Sequence, residues 1–121
     1  MSSDREETQR RRRILREQLR ELSFAPLMRG SLVQRLRRCG RPNCACAKDP
    51  SRRHGGLFLT VQLEGRTQAV HVRAEDEARV RAAIEAYAKL WDIINALTAC
   101  ELSDLKREAR ERRRARRRRQ G

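Results

Sequence analysis

Leu57-Phe-Leu-Thr-Val-Gln-Leu63-Glu-Gly65-Arg66-Thr-Gln-Ala-Val-His-Val-Arg73 is the stretch that decides the fold. Leu57, Leu59, Val61 and Leu63 alternate with Phe58, Thr60 and Gln62, the period of two that marks a half-buried strand. Glu64-Gly65 has the chemistry of a tight turn, with the glycine supplying a positive φ. The return strand runs from Arg66 to Arg73. A two-residue loop sets Leu63 against Arg66 and Leu59 against Val70. Leu57, Leu59, Val61, Val70 and Val72 then share one buried face, and Phe58 and His71 become neighbours on the other, exposed face.

Upstream, residues 31–38 read as a third strand, with Leu32 and Leu36 pointing one way and Arg35 and Arg37 the other. Downstream, residues 75 to about 115 read as one long helix. Glu75, Asp76 and Glu77 sit where the positive end of its dipole favours carboxylates. Val80, Ile84, Tyr87, Trp91 and Ile94 follow a four–three rhythm, and Leu90, Ile93, Leu97, Cys100, Leu102 and Leu105 widen the stripe. Asp4 to Leu22 lacks Gly and Pro and reads as another helix, with Leu15, Leu19 and Leu22 on one stripe; it is expected to lie antiparallel on the long helix. The fold expected is α+β: a small three-stranded antiparallel sheet with a Cys/His knuckle, an N-terminal helix and one long C-terminal amphipathic helix. Three segments follow: a basic N-terminal helix (1–28), a core of sheet, knuckle and long helix (29–105) and an arginine-rich tail (106–121), expected to fray when nothing is bound.

The 121 residues include 30 Lys and Arg against 16 Asp and Glu, a formal net charge of +14. Only Lys48, Lys89 and Lys106 are lysine. The charge is segregated: residues 29–53 hold eight basic side chains and one acidic, residues 54–105 five and eight, and residues 106–119 ten and two. Basic zones of this density at this chain length call for a polyanionic partner, nucleic acid first. No apolar run is long enough to cross a membrane, and Met-Ser-Ser-Asp-Arg-Glu-Glu at the N-terminus lacks the apolar core of a signal peptide. A cytoplasmic protein with reduced thiols is the expectation.

Cys39-Gly-Arg-Pro-Asn-Cys44-Ala-Cys46 is followed by His54-Gly-Gly. Gly40, Pro42, Pro50, Gly55 and Gly56 turn the chain tightly there, and almost nothing in the loop is apolar enough to form a core. Zinc takes four such ligands in a tetrahedron and replaces a missing core. The expected ligand set is Cys39, Cys44, Cys46 and His54, with structural zinc as the cofactor. The Cys-x-Cys bite of Cys44 and Cys46 is tighter than the usual knuckle, so a loop of free thiols, a redox pair and an iron–sulfur cluster stay open as alternatives. Cys100, on the apolar stripe, reads as a buried small hydrophobe.

The string Cys-Gly-x-Pro-x-Cys-x-Cys…His-Gly, followed by a hairpin and a long helix, resembles an uncharacterised bacterial family of small zinc-knuckle-like proteins. These are often encoded beside transposases and other mobile-element genes. The similarity spans about residues 28–100. Such proteins commonly carry Pro-Tyr after His-Gly, whereas Gly56 and Leu57 stand here. The resemblance implies an association with DNA-mobilising systems and assigns no activity.

No Gly-rich phosphate loop and no Ser/His/Asp set is present, and both histidines have simpler roles, so no catalysis is expected. The expected role is a nucleic-acid-binding accessory protein, gripping duplex DNA without sequence preference. The arginines expected to do so are Arg29, Arg35, Arg37, Arg38, Arg41, Arg52 and Arg53 around the knuckle and Arg112, Arg113, Arg114, Arg116, Arg117, Arg118 and Arg119 in the tail, with Arg10–Arg13 as a further run. Two other roles stay open: an RNA-binding subunit of a ribonucleoprotein, and an adaptor whose long helix docks a recombinase or transposase. Val80, Ile84, Tyr87, Trp91, Ile94 and Leu97 are the expected seam of a coiled-coil homodimer or partner interface.

Overall fold

The computed structural model describes residues 2–37, 40–52 and 54–121; for Ser2, Arg37, Cys46, Pro50 and His54 it describes the backbone. Helix α1 spans Ser2–Leu22, strand β1 Ser31–Arg37, β2 His54–Leu63, β3 Arg66–Val72 and helix α2 Glu77–Gln120. Short 3₁₀ turns lie at Ala45–Ala47, Pro50–Arg52 and Ala74–Asp76. The α+β architecture is the one expected. No helix among the described residues is long and apolar enough to cross a membrane.

The chain forms two compact units. One comprises residues 26–87 and the other residues 1–25 with 88–121. The boundary therefore falls inside α2.

In the first unit the strands form an antiparallel sheet in the order β1-β2-β3. The hairpin register is that required by a two-residue loop: Leu63 pairs with Arg66, Leu59 with Val70 and Phe58 with His71. Glu64 and Gly65 both take positive φ, 53° and 76°, the signature of a tight hairpin turn whose twist matches the strands. β1 pairs along β2 from Ser31 opposite Thr60 to Arg37 opposite His54.

Leu59, Val72 and Val80 form the centre of the core, with Met28, Leu32, Leu57, Val61 and Ile84 packed against them. The start of α2 thus covers the sheet face that carries Leu59 and Val72. The Met28 N–H donates to the Ala83 carbonyl at 3.1 Å, holding the approach to β1 against the helix. Gly30 lets the chain pass close against β2, since a Cβ there would come within 2.9 Å of Leu59 Cδ1 and Val61 Cγ1. Two expectations fail on this sheet. Val70 is 55% exposed, because it lies on the outer strand where α2 does not reach. Phe58, expected in the open, is only 8% exposed although it lies on the face opposite α2. Its ring stands over Gly56, with a Cβ at that glycine falling 3.1 Å from Phe58 Cε2. His71 meets the ring edge-on at a centroid distance of 5.3 Å, and the Arg35 guanidinium carbon lies 5.9 Å from its centroid. Among the described residues, His71 and Arg35 are the side chains that meet the ring.

In the second unit α1 runs antiparallel to the last part of α2. Arg12 reaches Glu101 and Asp104, while Asp4 and Arg5 line a groove with Arg107, Arg110, Arg114 and Arg118 further along. The seam positions are Thr8, Arg12, Leu15, Leu19 and Leu22 on α1, and Leu90, Ile93, Leu97, Cys100, Asp104 and Arg107 on α2. Both repeat at alternating steps of three and four, the spacing of a coiled-coil seam. Cys100 is buried, as expected for a small hydrophobe.

One layer of that seam is charged. Asp104 accepts from the Arg12 Nη2, and from Arg107 Nη1 at 2.9 Å, while Arg12 Nε donates to Glu101 Oε1 at 3.0 Å. All three central side chains keep 20% or less of their exposure. The hydrogen bond from Arg12 holds the Asp104 carboxyl below the usual aspartate range, aided by the bond from Arg107, and the same contact raises Arg12. A carboxyl depressed in the folded chain stabilises it above the ordinary aspartate range and stops doing so as acid protonates it. Acidification below that range is therefore expected to weaken the helix pair. Asp104→Asn is expected to flatten the acid limb of the helical circular-dichroism signal relative to the parent, and an unchanged limb would refute the role of this layer.

Candidate nucleic-acid interface and metal loop

α2 continues as helix to Gln120 instead of ending near residue 115. Arginine is a good helix former, and basic residues suit the negative end of the helix dipole. Arg112, Arg113, Arg114, Arg116, Arg117, Arg118 and Arg119 are all exposed on it. Stepping 100° per residue, they point in every direction around the rod. None of the seven is paired with a carboxylate among the described residues; the nearby Glu111 faces Arg107 at 3.7 Å.

In the sheet unit Arg29, Arg35, Arg41 and Arg52 are exposed. Arg29 Nη2 donates to the Gln62 carbonyl at 2.9 Å, and Arg52 lies 3.8 Å from Asp49. Arg38 and Arg53 fall outside the described residues, as does the side chain of Arg37. The N-terminal run divides: Arg10, Arg11 and Arg13 are exposed, whereas Arg12 is drawn into the helix seam. A run of like residues could not reveal which member lies at the seam; the four–three spacing from Leu15 and Leu19 back to Arg12 and Thr8 carried that signal.

The acidic start of α2 is engaged locally. Glu75 pairs with Arg73, Asp76 with Arg79 and Glu77 with Arg81. His71 is exposed on β3.

The expected metal loop is closed at its base by the Arg37–His54 pair of β1 and β2. Gly40 takes φ 81°, a conformation that favours glycine. The Cys44 N–H donates to the Arg41 carbonyl at 3.1 Å, and the Cys44 carbonyl accepts from Ala47 at 3.1 Å. Two 3₁₀ turns follow, the second fixed by Asp49, which accepts from both the hydroxyl and the N–H of Ser51. Those bonds, the hydroxyl first, hold the Asp49 carboxyl below its usual range. Cys44 is half-buried. Cys39 and the side chains of Cys46 and His54 lie outside the described residues, and among the described residues no group of three or more potential ligands is assembled. The donor set suits zinc chemically, three soft thiols and an imidazole in a loop with no core of its own.

The expected interface stripe on α2 is split. Val80 is buried and Ile84 half-buried in the sheet unit's own core, so neither is free for a partner. Tyr87 and Leu97 are half-buried, the latter at the α1 seam. Trp91, Ile94, Leu102 and Leu105 remain exposed on the helix. A feature the sequence reading missed lies at one end of the sheet, where Arg29, Ser31, Thr60, Gln62 and Thr67 line a groove of about 420 Å³. Its signal was present in the outward positions Thr60 and Gln62, but the register of β1 was needed to bring Ser31 beside them.

Residues 5–82 match the family described as Domain of unknown function (DUF6788). The chain belongs to that family. The match takes in α1, the sheet and the first turns of α2, and the remainder of α2 lies beyond it. No curated protein and no solved structure matches the chain.

Proposed function

We propose that this DUF6788 protein is a nucleic-acid-binding accessory protein that grips duplex DNA through its arginines without regard to sequence. The observation that carries this reading is the end of α2, where seven arginines stand exposed on a continuous helix with no carboxylate partner among the described residues. Guanidinium groups take phosphate through two hydrogen bonds each, and contacts of this kind position a protein without reading bases. Arg29, Arg35, Arg41 and Arg52 form a second basic zone near the sheet. Phe58, whose ring would be needed for base stacking on single strands, is buried, which favours duplex over single-stranded ligand. The likeness to zinc-knuckle-like proteins encoded beside transposases makes a mobile-element or recombination machinery the proposed setting.

Zinc is the proposed structural cofactor, held by Cys39, Cys44, Cys46 and His54. The supporting features are the ring closure at Arg37 and His54 and the absence of large apolar side chains in between. A homodimer is the proposed assembly. Trp91, Ile94, Leu102 and Leu105 form an apolar stripe that a second copy would cover. Parallel pairing would align two arginine-rich ends, so the copies run antiparallel.

Binding to random-sequence duplex DNA is expected to weaken steeply with salt, with a log–log slope of about −7 if eight phosphates are contacted. Deleting residues 106–121 is expected to abolish most of that affinity. A slope near zero in fluorescence anisotropy would overturn the reading. Full-length protein is expected to carry one zinc per chain by atomic emission, and Cys44→Ser to lose it. Light scattering on a sizing column is expected to return a dimer for the parent and a monomer for Trp91→Glu.

A further inference from the structure

We propose that the sheet face opposite α2 is a second docking surface for duplex DNA, taking one phosphodiester strand along the groove between Arg29 and Thr67. The proposal rests on the reading that the protein binds DNA and adds a contact area that its arginine clusters alone do not define.

The sheet has two unlike faces. One carries Leu59 and Val72 and is covered by α2. Side chains on the other alternate with these, and the register sets Ser31 beside Thr60, Val33 beside Phe58 beside His71, and Gln62 beside Thr67. None of the three strands contains an Asp or Glu. A chain with 16 carboxylates has therefore kept all of them off this sheet, and nothing on the strands would repel a phosphate.

The side chains present are the types that contact DNA backbones: arginine, hydroxyls and an amide. Arg29 is anchored by its bond to the Gln62 carbonyl, which leaves the rest of its donor fork at the rim of the groove. Ser31 and Thr67 are exposed, and the Gln62 amide lies 3.5 Å from the Thr67 hydroxyl, at the outer limit of a hydrogen bond. Both can turn to a ligand at little cost. Thr60 Oγ1 is buried beneath them and has no hydrogen-bond partner among the described residues. A buried hydroxyl without a partner is costly, and its burial leaves Ser31, Gln62 and Thr67 as the accessible polar side chains beside Arg29 in the groove. Arg35 extends the basic rim along the same face, its guanidinium held by the Phe58 ring. With that ring buried, the described residues of the face offer chiefly donors for a backbone.

The test uses the full-length protein and random-sequence duplex DNA in fluorescence anisotropy. Ser31→Glu and Thr67→Glu place a carboxylate on the proposed face; Gln68→Glu makes the same change of charge at an exposed site on the same strand as Thr67 but on the opposite face. Each face variant is expected to lower affinity about tenfold and to shift the salt slope by about one contact, while Gln68→Glu changes affinity less than about twofold. Circular dichroism identifies any variant that fails to fold, and Gln62→Glu, on the same face with the same expected loss, then takes its place. If the parent binds DNA and the face variants lose no more affinity than Gln68→Glu, whether all lose it or none does, the face proposal is overturned and the arginine clusters suffice. If the parent itself shows no salt-dependent binding, the wider reading fails and takes this proposal with it.

Discussion

A chain this rich in charge has few apolar side chains to spend, and most of its packing depends on one helix spending them twice. α2 contributes Val80, Ala83 and Ile84 to the sheet and, further along, Ile93, Leu97 and Cys100 to the seam with α1. The three strands alone would be a marginal sheet, with one apolar face and nothing to cover it. The N-terminal helix alone is too short on apolar surface to persist by packing on itself. Each gains a partner because α2 does not end where its first partner ends.

The elements that local rules govern were legible in the sequence. The Glu64-Gly65 turn fixed the hairpin register down to individual pairs, since a two-residue loop leaves no freedom to slip. Helix positions followed from uninterrupted stretches without Gly or Pro. What was not legible depended on which surfaces meet. Val70 and Leu59 look alike in an alternating pattern, yet only Leu59 lies under α2. Phe58 seemed exposed because it lies on the face opposite α2; His71 and Arg35 on the neighbouring strands stand against its ring. The stripe on α2 looked like one interface and proved to be divided, its first residues used at home and its later ones left in the open. As for the candidate site, the arginines could be named from the sequence, whereas the place of Arg12 at the seam lay unread in the spacing of Leu15 and Leu19. Nor could the hydroxyl groove be seen, since it is assembled from three strands.

Arg12 and Asp104 show how a charge can serve register in a helix pair. Leucine-like seams tolerate sliding by a heptad, because each layer resembles the next. A layer that must match an arginine to an aspartate does not slide without stranding both. The cost in stability is modest for side chains that retain some contact with water. The same layer sits at the passage from apolar to basic sequence on α2, so it marks where packing stops and display begins.

The uninterrupted helicity of α2 has a consequence for the solution around it. At about 1.5 Å per residue, residues 106–119 extend for roughly 21 Å. Their ten basic and two acidic side chains leave eight net charges over that length, or one in roughly 2.6 Å, against one in about 1.7 Å for duplex DNA. The end of this helix is thus a polyelectrolyte in its own right, a cationic rod of nearly the linear density of the polyanion it resembles in reverse. Such a rod gathers an atmosphere of mobile anions. Added salt then acts on the free chain with a sign opposite to its action on a complex: it relieves the repulsion between neighbouring guanidinium groups and firms the helix, even as it loosens any grip on a phosphate chain.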